Sequence, residues 1–358
     1  MDFNEEHWNK GRWAFSIGFF LMRFANIEDA VCQLKISLDA IKDLERNPLT
    51  TLKNEPPKSW HDLRIEEQAD KLIRQLESIS LEKYKPVKPK EELIKLLRYL
   101  SKIKDTRNAL AHGAFFMKDG YTPERPNYCI FSRTQLNEKN EAVAEAKVIH
   151  VQDMESQISE STYLEVELTS YAHDLMRTLK LEAFPVTYEL TFEARAREGN
   201  LSLLIGRFMV HMGEIERLVH MVYQLVLDPT YGDKYNSPIV KPNGYWDSLT
   251  LSRQVQDLLN RLPCTYEYSN LRGVISDLYN SELIRFRNIL SHAKVCHQLS
   301  PTSESLVLVA LRKTRKKPEI ISASEITRLL RMVSDFSDSL DEALSIAEMS
   351  LMKPFTTG

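Results

Sequence analysis

Glycine is scarce in this chain, at 11 of 358 residues. Doubly wound nucleotide folds and all-β folds use more of it in their turns. Neither Gly-x-Gly-x-x-Gly nor Gly-x-x-x-x-Gly-Lys-Ser/Thr occurs, so no phosphate-cradling loop is indicated. Cysteine is scarcer still: Cys32, Cys129, Cys264 and Cys296 lie far apart, with no Cys-x-x-Cys pair. That spacing argues against a zinc site and a disulfide framework, and the expected compartment is the reducing cytoplasm. No long hydrophobic run exists. The most apolar early stretch, Trp13 to Met22, is too short to span a bilayer, and the acidic start Met1-Asp2-Phe3-Asn4-Glu5-Glu6 is no secretory signal. A net charge of −3 supplies no overall basic field, so any grip on nucleic acid must come from a local cleft. What remains is ordinary globular material: 43% hydrophobic and 27% charged residues build a core without staples. The length suggests two domains at roughly 150 residues each.

The chain repeats itself. Gly18, Phe20, Ile27, Glu28 and Val31 recur as Gly206, Phe208, Ile215, Glu216 and Val219, in two segments with apolar residues every three or four positions, which predicts long helices. Trp60-x-x-Leu63-x-Ile65-x-x-Gln68-Ala69-x-x-Leu72-Ile73-x-x-Leu76 recurs as Trp246-x-x-Leu249-x-Leu251-x-x-Gln254-Val255-x-x-Leu258-Leu259-x-x-Leu262, again helical. The sharpest match is Arg107-Asn108-Ala109-Leu110-Ala111-His112 with Arg287-Asn288-Ile289-Leu290-Ser291-His292. Each hexamer closes a helix expected to begin near Glu91 and Asn270 respectively. An extended pair follows each copy: Tyr128 to Arg133 with Lys147 to Val151, and Leu306 to Arg312 with Glu319 to Ile321, read as β-hairpins. A further amphipathic helix closes each half, with Asp153 as N-cap in the first and Ser322-x-x-Glu325 as a capping box in the second. The expected architecture is all-α: two tandem antiparallel bundles, residues 1–184 and 185–358, each with a small hairpin insertion and divided near Pro185. Glu55-Pro56-Pro57 and Pro86-Val87-Lys88-Pro89 read as loops.

The hexamer raises a physical question. At about 100° per residue, Arg107 shares a stripe with Ile103 and Leu110, and Arg287 with Leu283 and Leu290. That stripe is apolar, and a guanidinium on it is costly unless it is paired or lines a cleft. Asn108 and His112 lie one turn apart on the neighbouring stripe. Ala111 or Ser291 keeps the surface small enough for another helix to approach. Gly113 marks the end of the first helix, where the dipole favours a protonated histidine. Only nine histidines occur, and two of them close these hexamers.

An arginine, a polar residue, a short spacer and a histidine near a helix end resemble the signature of the HEPN superfamily. The resemblance covers both halves. It implies a pair of helical bundles whose motifs line one cleft, here a pseudo-dimer folded into one chain that acts as a monomer or dimerises further. Many members of that family are metal-independent RNA endonucleases of toxin–antitoxin, abortive-infection and RNA-guided CRISPR systems; others have lost activity. Carried over, the catalytic residues are Arg107, Asn108, His112, Arg287, Asn288 and His292, the partner is RNA, with a cognate inhibitor or antitoxin protein as a further partner, and no cofactor, metal or membrane is involved. The chemistry suits these residue types. RNA carries its own nucleophile, so a protein need only take the 2′-hydroxyl proton, hold charge on the phosphate and protonate the leaving 5′-oxygen. Two histidines can share the proton transfers, and arginines can grip non-bridging oxygens. The alternative is a non-catalytic pair that binds RNA, a nucleotide or a protein.

Other residues are read in two ways. Glu28 and Glu216 either hold Arg107 and Arg287 or lie on a solvated helix face. Arg312, Lys313, Arg315, Lys316 and Lys317 form the densest basic run; they either track an RNA backbone or decorate a turn. Arg285, Lys102 and Lys104 flank the motif helices as further phosphate contacts. Trp60 and Trp246 favour the core over base stacking. His211, His220, His297 and Cys296 show no metal-ligand spacing.

Overall fold

In a computed structural model, residues 5–47, 56–57, 59–60, 63–84, 89–112, 114–117, 128–136, 142–181, 192–227, 249–291, 293–299, 304–310 and 319–352 are described. The protein is mainly α-helical. The first half runs α1 (Glu5–Arg46), α2 (Ile65–Ser78), α3 (Lys90–His112), β1 (Ala114–Met117), β2 (Tyr128–Leu136), β3 (Ala142–His150) and α4 (Val151–Thr178). The second runs α5 (Phe192–Leu227), α6 (Leu251–Arg261), α7 (Ser269–Asn280), α8 (Leu283–Leu290), β4 (Ala293–Leu299), β5 (Glu304–Ala310), β6 (Glu319–Ile321) and α9 (Ala323–Met352). Pro185 and Trp246 lie outside the described residues.

The two long helices, α1 and α5, form the centre. α1 packs on α5 and α4, and α5 packs on α9. Both central helices carry apolar residues on more than one face, including Phe20, Phe24, Leu34, Phe208, Met212 and Val222, all buried. A helix apolar on several sides is stable only when other elements cover it, and the buried apolar residues of both halves form one continuous core. α1 and α5 meet at the glycines aligned in the sequence. A Cβ placed on Gly18 would lie 1.8 Å from the Ser202 carbonyl oxygen, and one on Gly206 would lie 1.5 Å from that of Ala14. Only glycine permits such backbone-to-backbone approach.

Each half carries a three-stranded antiparallel sheet, ordered β1-β2-β3 and β4-β5-β6. The sequence pattern had indicated the pairs β2–β3 and β5–β6. The first strand of each sheet, Ala114–Met117 or Ala293–Leu299, follows directly on the motif helix and was not foreseen. These strands tie the halves together: β1 packs against α5 and β4 against α1.

Two local expectations need correction. The second motif helix is not continuous from Asn270. Ser281 is extended (φ −74°, ψ 161°) and splits it into α7 and α8. The Ser281 hydroxyl donates to the Leu278 carbonyl at 2.8 Å and accepts the Leu283 amide at 3.4 Å, offering the backbone partners that the helix would otherwise supply. Asp153 is not the N-cap of α4. The helix begins at Val151 behind His150, and the Asp153 carboxylate accepts the His150 amide at 3.4 Å from within the first turn. Ser322 does cap α9, its hydroxyl accepting the Glu325 amide at 3.2 Å.

Candidate functional site

The motif arginines lie where the helical stripe placed them. Around Arg107, Ile103 and Leu110 are fully buried; around Arg287, so are Leu283 and Leu290. Ala111 and Ser291 are buried too, as small residues under a close neighbour should be. The guanidiniums themselves are buried, with side chains 7% and 9% exposed. Each faces a carboxylate from the central helix of its own half. Arg107 Nη2 lies 3.7 Å from Glu28 Oε1, an ion pair beyond hydrogen-bonding distance. Arg287 Nη2 is in direct contact with Glu216 Oε1, a charge contact rather than an aligned hydrogen bond. In both copies the arginine Nη1 donates to the Oδ1 of the asparagine that follows it, Asn108 or Asn288, at 3.3 Å.

The two environments differ. Glu28 keeps 28% of its side chain exposed, whereas Glu216 keeps 10%. Burial pushes the Glu216 carboxyl up to about 7, and the nearby Arg287 charge offsets this only in part. The Arg107 guanidinium also lies 5.6 Å from the centroid of the Phe24 ring, one turn before Glu28 on α1. The matching residue on α5 is Met212, by the same offset that aligns Gly18 with Gly206. Phe24 carries no motif signal; only its place on the same face of α1 as Glu28 could have singled it out.

The remaining expectations divide. His112 ends α3 with an undescribed side chain, and His292 lies outside the described residues, as do Arg312 to Lys317. The residues bracketing that basic run are placed: Ala310 pairs with both Glu319 and Ala293, the first residue of β4. Lys104 is engaged with Glu66 of α2 at 3.3 Å, so it ties α3 to α2. Lys102 is exposed beside the Tyr99 ring at 4.5 Å. The Arg285 guanidinium lies 5.4 Å from the ring of its neighbour Phe286. Trp60 is a core residue, 2% exposed, its carbonyl accepting the Gln68 side chain at 3.0 Å. A further buried ion pair escaped notice in the sequence: Arg23 Nη1 reaches both Glu165 oxygens at 3.1 and 2.9 Å, and Asn26 donates to Oε1 at 2.8 Å. It ties α1 to α4, and no signal short of the fold pairs residues so far apart. Among the described residues no group of histidines, cysteines and carboxylates could hold a metal ion, and no helix is long and apolar enough to cross a membrane.

No family model, curated protein or solved structure matches the chain.

Proposed function

We propose that the two halves are HEPN-like bundles related by a pseudo-twofold axis, and that the chain is a metal-independent RNA endonuclease. The observation that carries this reading is the twofold recurrence of one costly arrangement: a buried guanidinium, braced by the asparagine beside it and by a carboxylate from the central helix. A core gains little from burying an ion pair where apolar residues would serve, so two such pairs at matching places point to a task. In this reading the site formed by the two motifs holds the non-bridging oxygens of one scissile phosphate through arginine. His112 and His292 act as base and acid, and Asn108 and Asn288 orient the arginines. The products are a 2′,3′-cyclic phosphate and a 5′-hydroxyl, and DNA is spared because it lacks the nucleophile. A role in prokaryotic defence or growth arrest under a cognate inhibitor follows from the family resemblance alone, and a cytoplasmic location from the dispersed cysteines.

Incubation with RNA in excess EDTA and end-group analysis of the products test the chemistry. Cleavage that needs a divalent metal, or that survives both His112→Ala and His292→Ala, overturns it. The second reading is a non-catalytic interaction module. It is favoured by the fact that each arginine already has a carboxylate beside it. Toxicity on overexpression that His112→Ala relieves separates the enzyme from the module.

A further inference from the structure

The two arginines stand in equivalent places but are not equally able to leave their partners. To take up a phosphate, a guanidinium must share its donors with the anion or release its own carboxylate. Glu28 is more than a quarter exposed and 3.7 Å from Arg107, so water can solvate it when the pair opens. Phe24, on the same face of α1, stays beside the guanidinium with its ring and holds it in place while the carboxylate withdraws. Glu216 has neither escape. It is almost wholly enclosed and in contact with Arg287, and its helix presents Met212 where α1 presents Phe24. Pulling Arg287 away would leave that enclosed carboxyl without the partner it touches and without water to replace it.

We propose that the pair divides the work: Arg107 is the arginine that grips the phosphate, and Arg287 is a positioning residue that Glu216 keeps in the wall of the site. This rests on the ribonuclease reading, and it makes the composite site one-sided although its halves are repeats.

The test uses the full chain and a short 2′-O-methyl oligoribonucleotide, which lacks the nucleophile and reports binding without cleavage. Arg107→Gln lowers affinity about tenfold or more, the loss of a charge-assisted contact, and leaves the thermal midpoint near that of the wild type. The paired replacement Glu216→Leu with Arg287→Met removes the second ion pair without stranding either charge. It folds and lowers affinity far less than Arg107→Gln does. Should Arg107→Gln fail to melt cooperatively, Glu28→Gln carries the same question: it frees the Arg107 guanidinium and raises affinity, whereas Glu216→Gln shifts stability instead. Equal losses from the first-copy and second-copy changes, or the larger loss from the second, overturn the division while leaving the ribonuclease reading intact. A wild-type protein that binds no RNA overturns both.

Discussion

Arg107 and Arg287 sit at matching positions on their helices, under matching small residues, each donating to the next asparagine at 3.3 Å. The carboxylates opposite them do not match in environment. Glu28 lies at the rim of the core and Glu216 inside it. The geometry of the arrangement recurs in both copies; the packing around each copy sets its energetics. The same ion pair can be a modest, water-screened contact in one half and a buried, all-or-nothing one in the other.

The sharpest way to break this comparison is at the point where the halves touch. Gly206→Ala drives a methyl group into the Ala14 carbonyl. The two central helices must separate, and a loss of about 4 kcal/mol or more is expected, among the largest single-residue effects; denaturant unfolding measures it. Next come the arginines. Arg287→Ala opens a cavity beside the enclosed Glu216 and removes that carboxyl's partner, and is expected to cost about 3 kcal/mol. Arg107→Ala leaves Glu28 with access to water and is expected to cost about half as much, mostly through lost packing. Equal costs would erase the difference between the copies.

The pH dependence sharpens it further. The folded Glu216 carboxyl titrates near 7, against about 4.5 when solvated, so between those values the folded state holds a proton that the unfolded chain has lost. Its contribution to stability is therefore complete below about 4.5 and is lost as the pH rises through about 7. Glu216→Gln removes that decline, and a series of thermal midpoints across the window should run flatter than the wild type. A Glu28→Gln series offers the control. The smallest effect lies at the closing helices. Ser322→Ala removes the side-chain cap of α9 and costs about 1 kcal/mol, while α4 has no matching serine to lose.

Much of the candidate site was legible because helical periodicity is short-range. Arginine on a stripe with Ile103 and Leu110 is visible in eight letters, and its recurrence with Leu283 and Leu290 makes it conspicuous. The partnership with Glu28 and Glu216 was open in the sequence, since a helix facing solvent and a helix facing a guanidinium can share a pattern. Phe24 was invisible, as was the grip of Arg23 and Asn26 on Glu165, because each depends on which helices become neighbours. The split between α7 and α8 turns on one serine hydroxyl competing for backbone partners, an effect of the same size as the helix propensities it overrides. The leading strand β1 has only four residues, and so short a strand is defined by the partner it pairs with.

The sequence alone determined that the chain is a repeat, that its mass is helical, and which residues break the apolar pattern, since all three are properties of spacing along one strand of polymer. The tertiary structure alone decided that Gly18 meets Gly206, that each sheet leans on the other half's long helix, and that Glu216 is enclosed while Glu28 is not. Those outcomes depend on how the long helices cross and what closes over them. Burial, which sets the strength of every charge contact here, is a property of that crossing and of no single segment.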